Sequence, residues 1–226
     1  MGKKKTITRK IFYASLVCIG LSWIYILYSF LSLPFTLDLK IKNPTRTAYM
    51  DYYNGDKPVK MKWKSFNQIS PNLRRAVILA EDSRFWKHHG FDWEAIKEAA
   101  EENWEAKSFV RGASTITQQL ARNLYLSPAK NPFRKLKELF IAMKLERELS
   151  KQRILELYLN LVEWGDGIYG AEAAANHYFG ISAAALDQWQ AAYLSAMLPK
   201  PRYYQRNPES QYLNRRTEIV EGILRK

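Results

Sequence analysis

Cysteine and histidine are both scarce in this sequence, whose 226 residues include one cysteine and three histidines. One cysteine excludes an intrachain disulfide framework and a cysteine-rich zinc site. Acidic residues are also fewer than basic ones: the sequence contains 22 aspartates and glutamates and 35 lysines and arginines, which gives a formal net charge of +13. A charge excess of this sign indicates an anionic partner, either a nucleic acid, a membrane surface or a phosphorylated substrate. The hydrophobic content of 47% excludes a disordered chain.

Charged side chains are absent from residues 11–35, which follow a tail, residues 1–10, that contains five lysines and arginines. At about 1.5 Å per residue, a helix of this length crosses a hydrocarbon core of roughly 30 Å. A cleaved signal peptide is the alternative, but its apolar region is typically about 7–15 residues long, and no small-x-small cleavage site is evident. We therefore predict an uncleaved single-pass anchor, with its basic tail in the cytoplasm by the positive-inside rule.

This orientation narrows the choice of anionic partner. The rest of the chain would lie outside the membrane, where anionic lipid headgroups and lipid-linked phosphates are available and nucleic acid is not expected. We predict a linker or extended segment over residues 36–64 and a single domain over residues 65–226.

The predicted domain has hydrophobic periodicity close to 3.6 residues, which is typical of helices. A short strand or extended stretch is expected within residues 38–69, and a glycine-rich turn at residues 165–170. The caps and the periodicity together predict helices over 70–88, 93–107, 115–125, 132–148, 151–162, 171–179, 182–198 and 208–225.

One carboxylate interrupts an apolar helix face. Leu73, Val77, Glu81 and Phe85 are spaced by four, and residues 76–80 form an unbroken apolar run. Desolvation would raise the pKa of a carboxyl group there and make it a better proton acceptor at neutral pH. The alternative is a glutamate that pairs with a basic neighbour or turns outward at the end of the helix. Asp82 follows directly, and adjacent carboxylates also push a pKa upward.

Two further segments are rich in polar groups. Residues 111–123 carry hydroxyls and amides suited to sugar hydroxyls or phosphate oxygens near a helix N-terminus, although a capped helix with a polar face is the simpler alternative. Residues 130–138 contain four cations that, with Arg122, could hold a diphosphate, although a solvated charged face is the alternative. Arg134 and Glu138 are four apart and are expected to pair.

Taken together, these segments resemble the peptidoglycan glycosyltransferases, the lipid II polymerases. Glu81–Gly90 matches the EDxxFxxHxG block of that family, Gly112–Gln119 matches GxSTITQQ, and Arg134–Glu138 matches RKxxE. Lys151–Asn160 matches KxxILExYLN, and a last block begins at Gly170. The resemblance covers about residues 65–200 and is specific because five blocks occur in order.

The resemblance implies a mainly α, lysozyme-like domain of the monofunctional, membrane-anchored biosynthetic type. Glu81 would be the general base and Glu138 a second carboxylate near the donor diphosphate. Lys137, Arg122 and Lys130 would bind the donor phosphates. The other residues implied in substrate binding are Asp82, Phe85, His88, Gly112, Ser114, Thr115, Thr117, Gln118, Gln119, Asn123, Arg134 and Lys135.

The implied reaction joins lipid II units into β-1,4-linked glycan with inversion and releases undecaprenyl diphosphate. No cofactor is expected to be required, and assistance by a divalent cation at the donor diphosphate is left open. The expected partners are lipid II, the growing lipid-linked glycan, the bacterial inner membrane and other cell-wall synthesis proteins. Two rivals are a membrane-anchored glycosidase of lysozyme-like fold, which also needs two carboxylates, and a non-enzymatic anchored scaffold.

A group of apolar residues is expected either to enter the membrane surface or to pack in the core, with neither alternative favoured. The group comprises Trp104, Phe109, Leu124, Tyr125 and Leu126.

Overall fold

The computed structural model describes residues 2–108, 112–128 and 132–226. It divides after Phe35 into two compact units, the second of which is Thr36–Lys226. The prediction of a mainly helical chain is confirmed. The helices are α1 (Gly2–Leu31), α2 (Ala48–Asn54), α3 (Pro71–Glu81), α4 (Trp93–Glu105), α5 (Ile116–Tyr125), α6 (Pro132–Glu148), α7 (Lys151–Leu161), α8 (Ala171–Phe179), α9 (Gln188–Met197), α10 (Pro201–Arg206) and α11 (Gln211–Leu224).

The first unit consists mainly of α1, whose apolar side chains, such as Val17 and Ile24, are exposed along the helix. Within the part of the chain that the structure describes, no helix is both long enough and apolar enough to span a membrane. The helical state predicted for this segment is confirmed, and its role as an anchor stays a prediction.

The core of the second unit is built from two groups of helices. In the first group, α3 and α11 both pack on α9. In the second, α5 packs between α6, α7 and α2. Apolar side chains such as Leu73, Leu120 and Leu194 are fully buried there, so the hydrophobic faces of these amphipathic helices supply the main stabilisation.

A small three-stranded sheet lies at one side of these helices. Its strands are β1 (Lys60–Met61), β2 (Glu163–Gly165) and β3 (Ile168–Tyr169), in the order β1-β3-β2. β1 is parallel to β3, and β2 is antiparallel to it. The glycine-rich turn predicted at residues 165–170 is therefore a tight hairpin, with Gly167 at a φ of 69°.

The structure corrects several predicted boundaries. The helix predicted over 70–88 ends at Glu81, because Asp82 leaves the helical conformation at φ −162° and ψ 70°. The helix predicted over 182–198 is a short 3-10 turn, Ala183–Ala185, followed by α9. The predicted linker contains α2 within the second compact unit, with Met50 fully buried.

The apolar group considered for membrane contact is divided by the structure. Trp104 on α4 is 85% exposed, whereas Leu124 and Leu126 are buried. Core packing, the alternative, therefore holds for the two leucines. Tyr125 is partly buried, and Phe109 lies outside the described residues.

Candidate active site

The last residue of α3 is Glu81, and local sequence explains why its carboxylate lies at the edge of the core. Ser70 caps α3 by accepting a hydrogen bond from the Asn72 N–H, and proline occupies the first helical position. Ala76 and Val77, on the same helix, are fully buried. The Glu81 side chain is only 12% exposed, as its position in an apolar run predicts.

Neighbouring helices hold the Glu81 carboxylate from two sides. Gln119 Nε2 on α5 donates a hydrogen bond to Glu81 Oε2 at 2.9 Å, and Tyr158 OH on α7 donates to Gln119 Oε1 at 2.9 Å. Arg216 Nη2 on α11 lies 3.4 Å from Glu81 Oε1. The side chain therefore has a defined orientation that three other helices fix.

Burial raises the pKa of Glu81 above its ordinary value, and the negative charge of Asp82 acts in the same direction. The Gln119 hydrogen bond and the positive charges of Arg216 and Arg122 oppose this rise in pKa. The result is a carboxylate that binds a proton more readily than an exposed glutamate does, which is the property required of a general base near neutral pH.

A cavity of about 500 Å³ opens beside this carboxylate. It brings together residues from two of the five blocks, Glu81–Gly90 and Gly112–Gln119, and it includes Pro199, Tyr212 and Arg216, which were not among the predicted site residues. Arg215 and Arg216 are an ordinary basic pair in a helix, and no spacing links them to Glu81. The lining comprises Leu79, Ala80, Glu81, Asp82, Ser83, Asp92, Ala95, Gly112, Ala113, Ser114, Thr115, Gln119, Pro199, Tyr212 and Arg216.

The second predicted carboxylate, Glu138, is buried on α6. The same helix carries a cation cluster that consists of Arg134, Lys135 and Lys137. The Glu138 side chain is only 1% exposed, with Arg134 Nη1 at 3.2 Å and Lys135 Nζ at 2.5 Å. The predicted pairing of Arg134 with Glu138 is confirmed. Lys135 Nζ also donates to Ser114 Oγ at 3.0 Å, so the cluster reaches the edge of the cavity through this lysine. Lys137 precedes Glu138 on the same helix.

Four predicted binding residues are engaged in holding the site together. His88 Nε2 lies 2.9 Å from Asp82 Oδ1, and the Ile116 N–H donates to Asp82 Oδ2 at 2.9 Å. Thr115 Oγ1 donates to the Gly90 carbonyl at 2.8 Å. Thr115 and Gln118 form the capping box of α5. These contacts join the segment after Glu81 to the helix that carries Gln119.

Two predicted binding residues have no surface open to a ligand. Phe85 is fully buried, with Lys151 Nζ 4.5 Å from its ring centroid. Thr117 is fully buried and donates to Glu146 Oε1 at 2.6 Å. Both side chains are packed inside the protein in this structure, and their contact with substrate stays a prediction.

The remaining predicted residues lie at different distances from the cavity surface. Asn123 is buried on α5, and Arg122 is half-buried near enough to Glu81 to affect its pKa. Gly112 lines the cavity beside Ser114. Lys130 lies outside the described residues. Contact of these residues with substrate stays a prediction.

Comparison with known proteins gives a consistent result. A profile of the family described as Transglycosylase matches residues 48–224. A biosynthetic peptidoglycan transglycosylase of Methylobacillus flagellatus is 48% identical over 190 residues, covering 81% of this chain and 83% of its own. Proteins of the same name are similar in Alcanivorax borkumensis, at 50% identity over 186 residues (82% and 76% of the two chains), and in Janthinobacterium sp., at 44% over 223 residues (96% and 95%).

Proposed function

Because this chain belongs to the transglycosylase family, we infer that it is a peptidoglycan glycosyltransferase of cell-wall biosynthesis. It is an enzyme, and we propose that its substrates are lipid II and the growing lipid-linked glycan. We also propose that the domain has a lysozyme-like fold. The family match and the names of the relatives support the activity, and the cavity beside Glu81 supports its location.

In the proposed reaction, Glu81 removes the proton from the 4-hydroxyl of the acceptor sugar. The hydroxyl oxygen then forms a bond to the anomeric carbon of the donor while the bond from that carbon to the diphosphate breaks. Undecaprenyl diphosphate leaves with the bonding electrons, and an α-linked donor gives a β-1,4 product by inversion. Diphosphate is already a good leaving group, so the site must mainly align the reactants, stabilise charge and accept one proton.

The observation that carries the assignment of the base is the environment of Glu81. Its carboxylate lines the cavity, is largely desolvated and has a raised pKa. Gln119 and Arg216 restrict its orientation. A base that is oriented before substrate binds loses little entropy when it reacts.

The cation cluster on α6 supports a donor site next to Ser114, which lines the cavity. Lys135 links Ser114 to Glu138 through two contacts of its ammonium group. We propose that Lys135, Arg134 and Lys137 neutralise the leaving diphosphate, and that Glu138 holds the first two in place. Arg122 is proposed to act there as well. Lys130, given the same role, lies outside the described residues.

The test is polymerisation of lipid II by the full chain in detergent, with glycan and released lipid diphosphate both measured. Glu81→Gln is expected to lower turnover by about 10²–10⁴-fold, because glutamine cannot accept the proton. Glu218→Gln, at an exposed site on α11, is the matched control and should polymerise normally. Near wild-type turnover by Glu81→Gln would remove Glu81 from the role of base.

The glycosidase alternative is not favoured by the names of the relatives, and the same preparation separates it from synthesis. Preformed glycan should keep its length when incubated with the enzyme. A non-enzymatic scaffold would produce neither polymer nor released diphosphate.

We propose that the reaction needs no protein-bound cofactor. Among residues 2–108, 112–128 and 132–226, no group of three or more histidine, cysteine or carboxylate side chains is arranged to hold a metal ion. A divalent cation would act at the diphosphate of the donor. Turnover measured with a chelator and then with added Mg²⁺ tests this directly: equal rates would exclude a required cation, and rescue by Mg²⁺ would establish one.

We further propose that residues 11–35 anchor the enzyme in the bacterial inner membrane, with the N-terminus in the cytoplasm and the domain outside. The absence of charge from this segment and the five basic residues before it support the proposal. Exposed Trp104 is proposed to touch the membrane surface.

A further inference from the structure

The last helix of the domain reaches Glu81 through one arginine. Arg216 Nη2 donates to the carbonyl of Ala80 at 2.9 Å and lies 3.4 Å from Glu81 Oε1. Its Nη1 donates to the hydroxyl of Tyr212 at 3.1 Å. Tyr212 and Arg216 are four residues apart, so they lie on the same face of α11, and both line the cavity.

We propose that Arg216 is a positioning residue that keeps Glu81 ionised and directs its carboxylate into the cavity, so that α11 forms part of the catalytic machinery. The proposal rests on the role of Glu81 as general base. It assigns a function to a residue in the last helix of the domain, well beyond the five sequence blocks.

The geometry separates the anchoring of Arg216 from its action on Glu81. Two neutral acceptors, the Ala80 carbonyl and the Tyr212 hydroxyl, hold the guanidinium at 2.9 and 3.1 Å. The contact with Glu81 is longer, at 3.4 Å. The guanidinium therefore keeps its position when Glu81 becomes neutral, and Glu81 Oε1 can turn a lone pair toward a substrate hydroxyl.

The charges around Glu81 show why one arginine matters. Among the described residues, the titratable groups that face it are Asp82 from its own segment, Arg122 from α5, Tyr158 from α7 and Arg216 from α11. Desolvation raises the pKa of Glu81, and within this described part of the chain the two arginines and the neutral Gln119 oppose the rise. A protonated glutamate cannot act as a base, so loss of either positive charge should reduce the active fraction at neutral pH.

The experiment is the pH dependence of kcat for lipid II polymerisation by the full chain. Arg216→Gln should move the acidic limb about one pH unit higher, because an opposite charge within about 4–6 Å lowers a carboxyl pKa by this order. The rate should fall about tenfold below the limb and approach wild type at high pH. Arg216→Lys keeps the charge and should leave the limb close to its original position.

Two further variants make the result specific. Tyr212→Phe removes one anchor of the guanidinium and should move the acidic limb in the same direction, by less. This variant still tests the proposal if Arg216→Gln folds poorly. Arg225→Gln is the matched control, because Arg225 also pairs with a glutamate on α11, Glu221 at 2.7 Å, and is 67% exposed. It should leave the profile unchanged. The proposal would be overturned if Arg216→Gln lost the same fraction of its rate at every pH. It would also be overturned if Arg225→Gln moved the acidic limb as far as Arg216→Gln does.

The outcome is distinguishable from failure of the base assignment. If Glu81→Gln polymerises normally, the proposed base is wrong and Arg216 has no base to position. If Glu81→Gln is inactive and the limb of the Arg216 and Tyr212 variants does not move, Glu81 keeps its role and only the inference about Arg216 is wrong.

Discussion

At the scale of single residues, the site combines two opposing demands on Glu81. Burial makes the carboxylate a better proton acceptor, but it also makes the ionised form unfavourable in the folded protein. Gln119 and Arg216 offset part of this cost through a hydrogen bond and a positive charge. The pKa of Glu81 remains raised, so the ionised side chain lowers the free energy of unfolding.

This conflict predicts that Glu81→Gln stabilises the fold while it removes activity. A carboxyl whose folded-state pKa is raised loses stability as pH rises through its unfolded value, about 4.3. The gain from the substitution should therefore be absent below about pH 4, grow above it and level off once the pH exceeds the folded-state pKa. Thermal unfolding of the full chain in detergent, measured across this pH range, checks the sign. A variant less stable than wild type at pH 7 would contradict it.

At the scale of elements, the connection between α3 and α5 explains both the site and an error in its prediction. The sequence between Glu81 and Gly90 contains no local stop signal, so periodicity predicts a helix to His88. The chain turns at Asp82 instead, where the carboxylate accepts from the Ile116 N–H and contacts His88. The contact with Ile116 is a tertiary contact with the N-terminus of α5, and no window of local sequence contains both residues.

The other helices show where local sequence is sufficient. The ends of capped amphipathic helices such as α7, which has Ser150 as its N-cap, agree with the prediction to within one residue. Pro201 occupies the first turn of α10, a position that proline favours. The approach of Arg216 to Glu81 depends on how α11 packs on α3 and α9. The sequence therefore predicts the part of the candidate site that comes from residues 81–119, and it does not predict the part that comes from α11.

Gly170, at the start of α8, is a position where an element requires glycine. Its φ is 81°, and an added Cβ would lie 2.5 Å from the Asn160 carbonyl oxygen, a backbone atom of α7. Gly180, after α8, has φ 69° but open space around it. We expect Gly180→Ala to cost about 1 kcal/mol from backbone strain alone. Gly170→Ala should cost at least about twice as much, because the clash adds to the strain.

The free energies of unfolding of the two variants, measured side by side with wild type, test this difference. Equal losses in both variants would mean that strain alone matters and that α7 yields to the new methyl group. A larger loss in Gly170→Ala would confirm that α7 and α8 are held in close contact at this point.

At the scale of the whole molecule, charge and apolar surface are distributed in a way that suits lipid-linked substrates. The uncharged segment, residues 11–35, follows a basic tail, and the catalytic unit carries its own cation cluster beside the cavity. If both the enzyme and lipid II are held at one membrane, their encounter takes place at a raised effective concentration. Attachment to the membrane would then increase turnover without any additional contact in the active site.

Attachment can be tested by placing charge in the proposed anchor. Leu21→Arg combined with Ile24→Arg should release the protein from membranes washed at high pH, because each arginine near the centre of a span costs about 2.5–3.5 kcal/mol. Ile219→Arg combined with Ile223→Arg, at exposed sites on α11, adds the same charge outside the segment and should remain bound. The released variant should keep its turnover with lipid II in detergent and lose it with lipid II in vesicles, because only the second assay depends on shared attachment. If the charged segment resists extraction as wild type does, residues 11–35 do not supply the attachment, and another surface of the protein must.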